Sequence, residues 1–83
     1  MASVKNICGP QVLKVRRECG LTQLEVANAC SNGVSRFSRV VIAKIEAGIR
    51  CVTDIELVML AQTLEVPVAS LLSSWLSDLA GGK

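Results

Sequence analysis

Two groups of side chains in this sequence carry reactive or charged atoms. The first is the four cysteines, Cys8, Cys19, Cys30 and Cys51, which could hold a metal, close disulfides or sense oxidants. No two of them stand in a C-x-x-C arrangement and the chain has no histidine, so a zinc or iron-sulfur site is the weaker reading. Small, partly buried apolar residues are the stronger one. The second group is the cations, which are unevenly placed. Residues 1–50 carry eight basic against three acidic side chains, net +5, and residues 51–83 one basic against four acidic, net −3. A basic half and an acidic half are what a domain with one face toward a polyanion requires. Catalysis has no visible apparatus. Histidine and tyrosine are absent, and there is neither a phosphate loop nor an acidic cluster with metal-ligand spacing, so no enzyme activity, cofactor or metal is expected.

A chain of 83 residues allows one small core to hold these groups. Hydrophobic residues make up 51% of the chain, yet no apolar run approaches the ~20 residues of a membrane span. The amino terminus lacks the apolar stretch of a secretory signal, so a cytoplasmic location is expected.

Residues 1–8 carry no strong pattern and are expected to form a loose lead-in to a domain over 9–80. Gly9 and Pro10 mark the entry to a first helix, over 11–19, with Val12, Val15 and Cys19 at helical spacing, Leu13 widening the stripe, and Gly20 as the stop. Thr22-x-x-Glu25 is a capping box that opens a second helix, over 23–30, expected to bury Leu24 and Ala27, with Val26 and Cys30 as further candidates. Residues 31–35, SNGVS, form the densest turn signal in the chain. Ser38 is the N-cap expected for a third helix over 39–47, with Ile42 and Ile45 inward and Gly48 as its stop. Thr53-x-x-Glu56 repeats the capping box and opens a fourth helix, over 54–64, with Leu57, Leu60, Ala61 and Leu64 on one face. Ile55, Val58 and Met59 extend its apolar surface beyond what one small core needs. Val68, Leu71, Leu72, Trp75, Leu76 and Leu79 place a fifth, amphipathic helix over 68–80.

Arg16, Gly20-Leu21-Thr22-Gln23, Val26-Ala27, Ile42, Ile45-Glu46-x-Gly48, Leu57, Leu60-Ala61 and Leu64 stand in an order and spacing that resembles the lambda-repressor/Cro-like (XRE-type) helix-turn-helix family. The resemblance implies an all-α fold, a five-helix lambda-repressor-like DNA-binding domain. Here the connection between the second and third helices is extended. A longer form within the family carries a related insertion, followed by a stretch similar to Arg50–Leu57. How far that insertion lengthens the second helix, or holds Arg36 and Phe37 beside DNA, is open at this level. Another departure is Glu65, where the family commonly has glycine after the fourth helix; strain or a different stop is expected there.

Family membership would give the chain a double-stranded DNA partner and the role of a sequence-specific transcriptional regulator, a repressor by expectation, associated with the nucleoid when bound. Its third helix would read the major groove. Outward positions there are Arg39, Val40, Ala43 and Lys44, with Ser38 at the entrance. The planar fork of Arg39 suits guanine N7 and O6, and Val40 a thymine methyl. Gln23 matches a family glutamine that meets a DNA phosphate at the start of the second helix. Arg36 and Arg50, in flanking loops, suit phosphate contacts. Arg16 and Glu46 match a pair that forms a structural salt bridge in the family. Trp75, Leu76 and Leu79 continue the last helix past the resemblance and are read as a homodimer interface, against the plainer reading of self-packing on Ile55, Val58 and Met59. No separate ligand-binding domain is visible, so no small-molecule ligand is expected. The alternative function is a protein-interaction module, such as an antitoxin or adaptor, with DNA contact secondary or absent.

Overall fold

Three helices of this protein start where a side chain satisfies one of the first free amides. The computed structural model describes residues 5–31 and 37–72. Thr22 Oγ1 accepts from Glu25 N at 3.1 Å while Glu25 Oε1 accepts from Thr22 N at 2.8 Å, which opens α2, Gln23–Cys30. Thr53 and Glu56 make the same reciprocal pair at the start of α4, Asp54–Leu64. Ser38 Oγ accepts from Val41 N at 3.2 Å ahead of α3, Arg39–Glu46. A cap of this kind contributes ~1 kcal/mol, which fixes where a short helix begins. The remaining helices are α1, Gly9–Glu18, which precedes α2, and α5, Val68–Leu71. No strand occurs among the described residues.

The helix ends are equally explicit. After α3, Gly48 takes φ +76°, its N–H bonding Ile45 O and that of Ile49 bonding Lys44 O. This paired arrangement satisfies carbonyls that the helix leaves free. The same pattern follows α4, with Val66 N on Ala61 O, but the left-handed residue is Glu65 at φ 58°, ψ 42°. A side chain in that conformation costs roughly 1–2 kcal/mol relative to the right-handed region, so the site expected to be strained is strained.

α3 packs on α1 and α2, and α4 on α1, α2 and α5. Val12, Val26, Ile42, Ile45, Leu60, Leu64 and Leu71 fill the centre with essentially no exposure. These are the apolar stripes of all five helices, and burying each large aliphatic contributes roughly 1.5–3 kcal/mol.

Four expectations change. Leu24, taken for a core residue, is 53% exposed, because α2 turns Val26, Ala27 and Cys30 inward instead. Cys19 lies past the end of α1 and is exposed. Phe37 is buried in the core rather than held toward DNA. Its N–H donates to Ser31 Oγ at 3.0 Å, so the two residues that flank 32–36 are pinned together. Finally, the loose lead-in does not hold from Lys5 onward: Lys5 N donates to Gly48 O at 2.8 Å and Cys8 is buried. The expected continuation of the fifth helix to residue 80, with Trp75, Leu76 and Leu79, falls on residues outside those described.

Candidate nucleic-acid interface

α3 has one face committed to the core and one that is free. Ile42 and Ile45 are buried completely, so helical geometry turns Arg39, Val40 and Lys44 to solvent, and all three are exposed. Ala43 lies half-buried between them, and Ser38, exposed, spends its hydroxyl on the cap. One turn-and-a-half of helix therefore presents two cations, a branched aliphatic and a small residue side by side. That combination can meet phosphates, guanine edges and thymine methyls.

The rear of this helix is braced by an ion pair. Arg16 Nε lies 2.6 Å from Glu46 Oε2 and Arg16 Nη2 donates to Glu46 Oε1 at 3.1 Å, a two-pronged contact that is largely buried. Arg16 Nη1 also donates to Leu21 O at 2.8 Å. The hydrogen bond to Glu46 raises the Arg16 pKa above its ordinary value against the opposing effect of burial, so the guanidinium stays charged. Gln23 joins the same carboxylate, its Nε2 donating to Glu46 Oε1 at 2.9 Å. One glutamate thus ties the end of α3 to α1 and to the first turn of α2. The Gln23 amide is oriented by that bond, and the α2 N-terminus stands beside it.

Of the other expected contacts, Arg50 is paired within the chain. Arg50 turns its fork onto Glu56, with both N···O distances 3.0 Å, and its Nη1 also donates to Cys51 O at 2.9 Å. The guanidinium in turn holds the Glu56 carboxyl below the usual carboxylate range, chiefly through that hydrogen bond. Arg50, expected on phosphate, is therefore engaged in closing the turn between α3 and α4. Arg36 lies outside the described residues.

Among the described residues no group of three His, Cys, Asp or Glu side chains is placed to hold a metal ion. Burial pushes the Cys8 and Cys30 thiols up, and Cys30 Sγ donates to Thr63 Oγ1 at 3.1 Å. Both behave as small core residues. Cys19 and Cys51 are exposed and free. No helix among the described residues is long and apolar enough to cross a membrane.

Two features near α3 escaped the sequence reading. Ile49, just past the helix, is exposed, and Asn6 bonds to the backbone of the same turn. Asn6 had a signal, an Asx residue shortly before a helix that opens with Gly9-Pro10. Ile49 had none.

The chain matches the helix-turn-helix family HTH_3 over residues 12–71. Among solved structures it is similar to the crystal structure of the DNA-binding domain of BldD, at 32% identity and a TM-score of 0.69, covering 87% of this chain and 99% of that one. No curated protein matches it.

Proposed function

From the premise that this chain belongs to the lambda-repressor/Cro-like helix-turn-helix family, we propose that it is a sequence-specific DNA-binding transcriptional regulator, acting as a repressor, that reads the major groove with α3. The observation that carries this is the division of α3. Ile42 and Ile45 are wholly buried, while Arg39, Val40 and Lys44 stand free on a helix braced from behind by Arg16 and Glu46. A helix held in this way can present side chains to base edges with fixed geometry. The similar domain of BldD is described as DNA-binding, which supports the same activity here.

Within this proposal Arg39 reads a base, Val40 and Ala43 line the apolar part of the groove, and Lys44 and Ser38 meet base or phosphate. Gln23, together with the first amides of α2, takes a phosphate. Arg50 serves by holding the turn after α3, and Arg36 remains a phosphate contact by proposal. Two copies reading adjacent half-sites would supply the contact area that one small domain lacks. The proposed homodimer uses Trp75, Leu76 and Leu79. Sedimentation at micromolar concentration tests it, and a concentration-independent monomer overturns it.

A second reading, the protein-interaction module, draws on one observation. Ile55 and Val58 are exposed and line, with Asp54 and Met59, an apolar groove of about 370 Å³ on α4. Selection of bound sequences from random double-stranded DNA separates the two readings. A regulator enriches a defined site, and its affinity falls steeply with added salt as counterions are released. Failure to retain any DNA at low salt would leave the interaction module.

A further inference from the structure

The segment ahead of α1 and the turn behind α3 are held together largely by one side chain. Asn6 Nδ2 donates to the carbonyls of Ile45 at 3.1 Å and Arg50 at 2.8 Å. Its Oδ1 accepts from Gly9 N at 2.7 Å, with the Cys8 thiol at 3.8 Å. Both hydrogens and both lone-pair directions of the amide are thereby used. Beside it, Lys5 N donates to Gly48 O at 2.8 Å. Gly9 completes the junction by having no side chain, since a Cβ there would collide with the carbonyl oxygen of Ile45. The amino end of α1 is consequently seated against the last turn of α3.

We infer that Asn6 is a positioning residue for the groove-reading helix, setting the angle at which α3 is presented. The inference rests on the reading of α3 given above. α3 has only eight residues, so its orientation depends on how its two ends are held. Its first end is fixed by the Ser38 cap and the buried Phe37. At the other end Glu46 anchors the side-chain layer, and Asn6 anchors the backbone through Ile45 O and the turn through Arg50 O. Neither aspartate nor serine reproduces this arrangement. Aspartate lacks donors and would set negative charge against two carbonyl oxygens, whereas serine has one donor where two are used. Asn6 itself meets no DNA in this scheme. It acts through the carbonyls it holds, so its loss should affect base contacts, which need narrow hydrogen-bond geometry, more than phosphate contacts, which tolerate displacement.

The test compares wild type with Asn6→Asp, and with the milder Asn6→Ser, at a temperature where circular dichroism shows each variant folded. In the free protein, amide hydrogen exchange at Ala47, Gly48 and Ile49 should accelerate by about tenfold in Asn6→Asp relative to Leu60 and Ala61 in α4. With DNA, affinity for the selected site should fall about tenfold relative to unrelated DNA, while unrelated binding and its salt slope stay unchanged. Asn6→Ser, which keeps one donor and adds no charge, should lie between. Protection lost evenly from α3 and α4, or both DNA affinities falling together, would show a general structural role and overturn the inference. The exchange arm needs no DNA. If wild type enriches no site, the regulator proposal fails by that result alone, and selective exchange at 47–49 still decides whether Asn6 positions α3.

Discussion

Arg16 and Glu46 stand 30 residues apart and meet with side chains only 11% and 4% exposed, whereas Arg50 and Glu56 are six residues apart with side chains 31% and 13% exposed. Both pairs are two-pronged and use the same functional groups. Their reach differs. The first joins α1 to α3, with Gln23 adding the start of α2 to the same carboxylate, so it forms only when distant helices have assembled. The second closes a turn and shares its glutamate with the Thr53 cap, so it needs little more than local structure. Identical chemistry thus serves assembly in one place and a boundary in the other.

The largest effect should come from the buried pair. Glu46→Ala strands the Arg16 charge and releases Gln23, and should lower unfolding free energy by ~3–5 kcal/mol in urea titrations. Replacing both partners together, Arg16→Met with Glu46→Leu, should cost less than Glu46→Ala alone, because no uncompensated charge is left behind. A double variant worse than either single one would mean that the pair contributes more than the desolvation argument allows.

Arg50→Ala should cost only ~1 kcal/mol, since its pair is more exposed. Acid titration sharpens the contrast. The Glu56 carboxyl is held below its ordinary range in the folded state, so its contribution is present in full above the unfolded carboxylate pKa. It is lost as pH falls through the lowered folded value. Wild type should therefore lose stability over that acidic window relative to Arg50→Ala, with the two curves converging at its lower end. Parallel curves would show that Arg50 does not hold the Glu56 charge.

The smallest effect concerns the ends of α3 and α4, which stop alike on different residues. Glu65→Gly relieves a left-handed side chain and should raise stability by ~0.5–1 kcal/mol, the gain reduced by the greater freedom of glycine in the unfolded chain. Unchanged or lower stability would mean that the Glu65 side chain compensates for its backbone.

Features that rest on neighbours in sequence were legible. Thr22, Ser38 and Thr53 each cap the helix their spacing predicts, and Ile42 and Ile45 face inward as the period requires. Features that rest on distant partners were not. The two bonds that Asn6 Nδ2 donates run to residues 39 and 44 positions away, and no local pattern encodes them, unlike the bond its Oδ1 accepts from Gly9 N. Leu24 misled because its hydrophobicity invites burial, yet the register set by Val26, Ala27 and Cys30 leaves it outside. Arg50 looked like a free loop cation, and only the position of Glu56 relative to the turn shows how its charge is used. In the candidate site, the face of α3 followed from periodicity, while the bond between Gln23 and Glu46 required the assembled helices.

In the proposed mode of binding, α3 reads base pairs through Arg39. Fluorescence anisotropy with the selected site and with unrelated DNA, across a salt series, measures it most directly for wild type and Arg39→Ala. The variant should lose about 1–3 kcal/mol of preference for the selected site while keeping its fold. Undiminished preference in Arg39→Ala would contradict the assignment of base reading to that residue. A wild type that prefers no sequence at any salt would contradict base reading by α3 altogether.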